Sequence, residues 1–229
     1  MIRAILFDCN GVIADDEPIH LLLFQKVLKE EGIQLTKKEY FQKYLALDDR
    51  SCFKDALKAH GREAPDSMLS ELIRRKAAYY QKMIKKNLRI FSGVQSFIKK
   101  HEKEYVLAVV SGALKNEIDL ILRRSKIAEA FSLIVSAENI KNGKPSPDCY
   151  LHAFNGLRKL GCFKKKPLRP NECVAIEDSI HGVEAARKAG MKCIAVTNSY
   201  SKKELENADC VVKSLEGLEI KNLTMGSVA

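Results

Sequence analysis

No apolar run in the 229 residues approaches the roughly 18 needed to cross a bilayer, so no membrane helix is expected. The N-terminus has no basic flank and no hydrophobic leader segment before its first strand-like run. No secretory signal is therefore expected, and the expected compartment is the cytoplasm. No two of the seven cysteines (Cys9, Cys52, Cys149, Cys162, Cys173, Cys193, Cys210) have C-x-x-C spacing, which argues against a zinc site or a disulfide framework. Cys173, Cys193 and Cys210 sit in short apolar runs and read as small core hydrophobes. His60, His101, His152 and His181 are too far apart to suggest a metal site. There is no internal repeat and no low-complexity tract.

Negative charge is also in short supply: 39 Lys and Arg stand against 29 Asp and Glu, a formal net charge of +10. Such a balance invites an anionic partner. The densest basic cluster, "FKKKPLRP" (163–170), holds two prolines between a helix pattern and a strand, so it reads as a solvated loop and not as a nucleic-acid surface. A small phosphorylated substrate would benefit from the positive field. Apolar residues at 46% and charged residues at 30% are those of a soluble globular chain, long enough for one domain with a smaller insert.

The apolar pattern changes character along the chain. Residues 2–7 form a nearly continuous apolar run, as a buried parallel strand does. From about 17 to 87 the spacing is helical throughout. Ile19, Leu22, Leu23 and Val27 recur at helix intervals, Gly32 offers a stop, and Thr36 and Glu39 have capping-box spacing. A second stripe runs from Met68 through Leu72, Lys76, Tyr79 and Tyr80 to Met83 and Ile84, and reads as the interior of a helical block. After residue 88, helix patterns near 93–102, 114–125, 147–160 and 180–189 alternate with the runs 105–111, 131–136, 173–179, 192–198 and 208–214. The expectation is an α/β fold: a Rossmann-like, doubly wound parallel sheet formed by 1–15 and 88–229, with an α-helical cap inserted at 16–87.

In open α/β sheets, ligands bind beyond the carboxyl ends of the strands. Asp8, Ser111, Glu177 and Asp178 stand at such ends, and Lys144 lies in the loop "NGKPSPD". Asp8 and Asp178 could share Mg²⁺, a hard cation that prefers oxygen. Lys144 and the Ser111 hydroxyl could hold phosphoryl oxygens, and the Asp8 carboxylate could attack phosphorus. Taken singly, each residue has a plainer use. Asn10-Gly11 could turn a hairpin, Ser111 could cap a helix, Asp178 and Ser179 could cap the helix that Gly190 closes, and Lys144 could be solvated. The joint placement at strand ends favours the site.

The segments "FDCNGVIADDEP", "VVSGA", "NGKPSPD" and "CVAIEDSIHGVEAARKAGM" resemble, in order, the four motifs of the haloacid dehalogenase-like hydrolase superfamily. The likeness is greatest to its β-phosphoglucomutase and phosphosugar phosphatase branch, which carries a helical cap after the first motif. The resemblance implies Asp8 as nucleophile and Mg²⁺ ligand, a backbone carbonyl from residue 10 to the metal, Asp178 as side-chain ligand, and Glu177 nearby through water. It implies Ser111, Gly112 and Lys144 as the phosphate site. From the cap, His20, Arg50 and Lys76 resemble positions that approach the substrate, although His20 could equally be a satisfied histidine of the helical block.

One residue departs from the pattern. Active members of the branch carry Asp two residues after the nucleophile as general acid/base; here it is Asn10. An amide hydrogen-bonds but does not give up and recover a proton near neutral pH. The change could be an introduced replacement, a natural mark of a binding relative, or one that deamidation at Asn10-Gly11 undoes in part of the sample by generating aspartate. A dehalogenase would tolerate the amide, because it has no leaving oxygen to protonate. The cap and the Glu-Asp-Ser segment look more like the phosphosugar branch. A phosphatase of sugar phosphates is expected over a mutase, because Ala113 and Leu114 follow Ser111 where mutases grip a second phosphate, and Asp49 stands where the mutase arginine would align. The expected partner is a small phosphorylated metabolite, and the expected state is a monomer.

Overall fold

Ala4–Phe7 forms the first strand, β1, and all four of its side chains are buried. A strand buried on both faces must be paired on both edges, and β1 lies between β2 (Val106–Val110) and β4 (Cys173–Glu177), parallel to each. β3 (Phe131–Val135) adds beyond β2, while β5 (Lys192–Val196) and the short β6 (Cys210–Val212) add beyond β4. The order β3-β2-β1-β4-β5-β6 is parallel throughout. The chain winds outward from β1 to β3 and then returns to β4 on the other side of β1. The order reverses at β1, which is where a doubly wound sheet opens a crevice. The computed structural model describes residues 1–45 and 47–222.

Two compact units divide the chain. One holds Met1–Asp15 and the chain from Arg89 onward; the other is Asp16–Leu88. The sheet unit has α5 (Val94–His101), α6 (Lys115–Arg124), α7 (Asp148–Leu157) and α8 (Ile180–Lys188) between its strands. Its core fills with the alternate faces of β1, β2, β4 and β5 and the inner faces of α7 and α8, including Leu6, Val110, Tyr150, Ala153, Ala175, Val183 and Ala195. Of the cysteines, Cys173 and Cys193 are fully buried, but Cys210 on the edge strand is only half-buried.

The second unit contains α1 (Glu17–Glu30), α2 (Lys37–Glu39), α3 (Asp49–Ala59) and α4 (Asp66–Asn87). Pro18 in the first turn of α1 costs no hydrogen bond, and Gly32 at φ +76° lets the chain leave it. Thr36 does cap α2, its hydroxyl accepting from Glu39 N at 3.1 Å, but this helix lasts one turn and passes into a π-helical stretch, Tyr40–Tyr44. The α4 stripe is narrower than its spacing suggests. Leu69, Leu72, Lys76, Ala77, Tyr80 and Ile84 are buried, whereas Tyr79 stays accessible and bonds Glu30 Oε1 at 2.9 Å. No helix among the described residues is long and apolar enough to cross a membrane.

Candidate active site

Asp8 is the first residue past β1, Ser111 the first past β2, and Asp178 the first past β4, while Glu177 ends β4. Parallel register therefore brings residues distant in sequence to one edge of the sheet. Carboxylate oxygens of Asp8, Glu177 and Asp178 lie within 4.8 Å of one another, and all three residues are buried. Lys144 reaches them from the loop before α7. Its Nζ donates to Asp8 Oδ1 at 2.9 Å, to Glu177 Oε1 at 2.6 Å and to Val110 O at 3.3 Å. With 12% of its side chain exposed, Lys144 is no solvated loop lysine.

The electrostatics follow from this crowding. Burial pushes the Asp8 carboxyl up to about 6, Lys144 pulls it down, and Glu177 pushes it back up. Burial, and then the charges of Asp8 and Glu177, hold Asp178 well above the carboxylate range. Burial opposes a charge on Lys144, but the two carboxylates beside it outweigh burial and keep the ammonium protonated far beyond its ordinary value. Three acids thus share one cation. The set is all oxygen, converging and short of positive charge, which fits a hard divalent cation.

Close backbone packing shapes the cluster. Gly11 has φ +78°, and a Cβ there would lie 1.9 Å from Asp178 Oδ2. A Cβ on Gly182, in the first turn of α8, would lie 1.9 Å from Glu177 Oε2. Ser179 is the cap of α8, accepting from Gly182 N at 3.0 Å, so Asp178 is left to face the acids. Asn10-Gly11 makes no hairpin. Gly11 N bonds Ala14 O at 2.9 Å and Ala14 N bonds Cys9 O at 2.9 Å, a tight loop that no second strand follows. Asn10 Oδ1 accepts from the Ser111 hydroxyl at 3.3 Å, and that hydroxyl accepts from Ala113 N at 3.2 Å. Gly112 is exposed at the head of the same loop.

Three residues that sequence reasoning passed over hold this arrangement. The Tyr150 hydroxyl, fully buried on α7, donates to Glu177 Oε1 at 2.5 Å, and burial together with that carboxylate keeps its phenol protonated. The Ser199 hydroxyl, past β5, donates to Asp178 Oδ2. The Asn198 amide donates to Gly11 O at 2.7 Å. Asn198 and Ser199 could have been found, because they too stand beyond a strand's carboxyl end. Tyr150 carried no such signal.

The three residues assigned to the helical insert part company. Lys76, fully buried, donates from Nζ to Asp49 Oδ1 at 2.5 Å and to His20 Nδ1 at 2.8 Å, and His20 Nε2 lies 3.2 Å from Asp16 Oδ2. Tyr80 also bonds Asp16 Oδ2. Arg50 turns to Asp66 at the surface instead.

A family model described as haloacid dehalogenase-like hydrolase matches residues 5–196. The chain is 25% identical, over 193 residues, to a phosphorylated carbohydrates phosphatase of Thermotoga maritima, covering 84% of this chain and 83% of that one. It is 26% identical, over 225 residues, to β-phosphoglucomutase of Bacillus subtilis, covering 96% and 93%. The crystal structure of a β-phosphoglucomutase from Clostridium difficile superposes with a TM-score of 0.83 at 25% identity, covering 96% and 95% of the two chains.

Proposed function

The chain belongs to the haloacid dehalogenase-like hydrolase family, and on that footing we propose that it performs Mg²⁺-dependent phosphoryl transfer from small phosphorylated metabolites, as a phosphatase of sugar phosphates. One observation carries the reading: Lys144 bonded to both Asp8 and Glu177, with Asp178 closing the acid cluster, at the point where the strand order reverses. The phosphorylated-carbohydrate phosphatase among its relatives supports the substrate class.

In this reading Asp8, Asp178 and the carbonyl of residue 10 hold the cation, with Glu177 behind them. When bound, Mg²⁺ supplies positive charge against the phosphoryl oxygens and the anionic nucleophile. An Asp8 oxygen forms the new bond to phosphorus as the ester P–O bond breaks. The leaving oxygen takes a proton from water, since the Asn10 amide has none to give, and a water molecule then hydrolyses the aspartyl-phosphate to release phosphate and restore the carboxylate. Lys144, the Ser111 hydroxyl and the Gly112 backbone hold the transferring group. The helical insert, Asp16–Leu88, corresponds in this reading to the cap that the resemblance implies.

Asn10 bears on rate. Family members place an acid there to protonate the leaving oxygen, and the Asn10 amide has no such proton. A positioned acid/base contributes about 10²–10⁴ in rate, roughly 3–5.5 kcal/mol of barrier. The protein as it stands is thus a slow phosphatase, or a binder of phosphorylated metabolites. Asn10→Asp is expected to raise kcat by about 10²–10⁴ in a phosphatase screen run beside the unaltered chain. Product analysis with a hexose 1-phosphate separates the routes: free phosphate marks a phosphatase, an isomerised hexose phosphate a mutase. No turnover by Asn10→Asp on any phosphorylated metabolite would leave only the binding role.

A further inference from the structure

Beyond β5 and β6 the sheet unit carries a pocket of about 520 Å³, which neither Asp8 nor Lys144 lines. That volume suits a small organic ligand. Val211 and Val212 of the edge strand give it an apolar floor, and Thr197 and Ser199 add hydroxyls. Two ammonium groups, Lys202 and Lys213, line it, and no carboxylate among the described residues does. Both lysines are exposed, and neither forms a hydrogen bond or ion pair with another described residue. Neighbouring Lys192 behaves differently, bonding Asp209 Oδ1 at 2.8 Å. Two unpaired cations on one pocket with an apolar floor make a receptor for a small dianion that has a carbon skeleton.

We propose that this pocket binds a small organic phosphate, with its phosphate group between Lys202 and Lys213 and its carbon chain over Val211 and Val212. The site does not depend on the reading of Asp8 as nucleophile. It is nonetheless wired to the acid cluster. Ser199 lines the pocket and also donates its hydroxyl to Asp178 Oδ2, and Asn198 beside it holds Gly11 O. A ligand that draws the Ser199 hydroxyl toward itself takes a donor from Asp178, so occupancy of the pocket changes how the acid cluster holds a cation.

Calorimetric titration of the full-length chain with hexose 6-phosphate, without Mg²⁺ so that no turnover occurs, tests the site. The titration is made in Lys144→Gln, which removes a group assigned to the phosphoryl site, and one molecule is expected to bind per chain there. Adding Lys202→Gln and Lys213→Gln is expected to weaken that binding at least about tenfold. Absence of binding in Lys144→Gln, or binding there that survives the two added substitutions undiminished, would overturn the proposal. Inorganic phosphate is expected to bind more weakly because it leaves the valine floor uncovered; equal affinity would overturn the organic assignment. In Lys144→Gln, saturating hexose 6-phosphate is expected to shift Mg²⁺ affinity by at least about fivefold. That shift should vanish when Lys202→Gln and Lys213→Gln, or Ser199→Ala, are added; a shift that persists with both pocket lysines replaced would overturn the coupling. The turnover screen of Asn10→Asp reads the proposed function separately, so either reading can fail while the other stands.

Discussion

At the scale of single residues, the candidate site is a problem of charge. Three buried carboxylates and one lysine cannot all be satisfied by each other, and Glu177 illustrates how the structure copes. Its Oε1 accepts from Lys144 at 2.6 Å and from Tyr150 at 2.5 Å, and the Lys144 ammonium lies 5.4 Å from the Tyr150 ring centre. Tyr150 is thus a positioning residue that acts through Glu177 on Lys144. Tyr150→Phe keeps the ring and removes the bond, leaving a buried carboxylate oxygen with one donor fewer, at a cost of about 1–3 kcal/mol. In the Asn10→Asp background it is expected to lower kcat more than it raises KM, read by steady-state kinetics with denaturant unfolding measured in parallel. Equal losses in both variants, Tyr150→Phe and Tyr150→Leu, together with an unchanged KM-against-kcat balance, would mean a structural role alone. Asp8, Ser111, Lys144, Glu177 and Asp178 could be named from the sequence because each stands at or near a strand end. Tyr150 could not: which face of α7 meets Glu177 is decided by packing between elements far apart in sequence.

At the scale of elements, two helix positions report on different units. Gly182 opens α8 where any Cβ would strike the Glu177 carboxylate. Gly182→Ala improves helix propensity by about 1 kcal/mol yet must displace a fully buried acid, so a net loss of stability is expected in a denaturant titration, along with weaker Mg²⁺ binding. The glycine is legible in the sequence as a close approach, but the group approached is not. In the helical unit, Arg75 bonds Glu30 Oε2 at 2.9 Å and Glu31 as well, tying the end of α1 to α4. The hydrogen bond from Arg75 lowers the Glu31 carboxyl below its ordinary 4.5, with Arg62 adding to it against partial burial. A depressed folded-state value means the contribution to stability is fully present above 4.5 and is lost as pH falls through the lowered value. Glu31→Gln is therefore expected to flatten the acid limb of the stability profile below pH 4.5 and to change little at pH 7, where solvent screens the pair. An acid limb as steep as that of the unaltered chain would count against the pair.

At the scale of the whole molecule, the winding of the sheet turns scattered chemistry into one place. The unpaired negative charge of the acid cluster should make the protein's thermal stability depend on a cation. Mg²⁺ at about 100 times its dissociation constant is expected to add about 2.7 kcal/mol, seen as a rise in Tm that EDTA reverses. Addition of an inert monovalent salt at equal ionic strength should not reproduce it, and an unchanged Tm would count against a metal at this site. The parallel, alternating architecture is legible because β1 and β4 are buried on both faces and so read as continuous apolar runs, unlike the helices, whose stripes recur every three to four residues. The brevity of α2 was less so. Thr36 and Glu39 cap a helix correctly, but the backbone beyond them runs into a π-helical turn in which Tyr40 and Tyr44 are buried. Local capping signals start a helix; burial of those rings decides how it continues.

The sequence by itself determined which groups stand at the strand ends, because side-chain period is a local property and chemistry is carried by residue type. It also determined that residue 10 carries an amide, where the resemblance calls for an acid. Only the tertiary structure decided how these groups meet. Lys144 and Asp8 lie 136 residues apart, and Tyr150 and Ser199 come from opposite sides of the acid cluster's own strand in the chain. No periodicity spans such distances. Partner choice among buried charges is settled by where the parallel register and the inner faces of the helices leave room, as the backbone at Gly11 and Gly182 leaves room for two carboxylates.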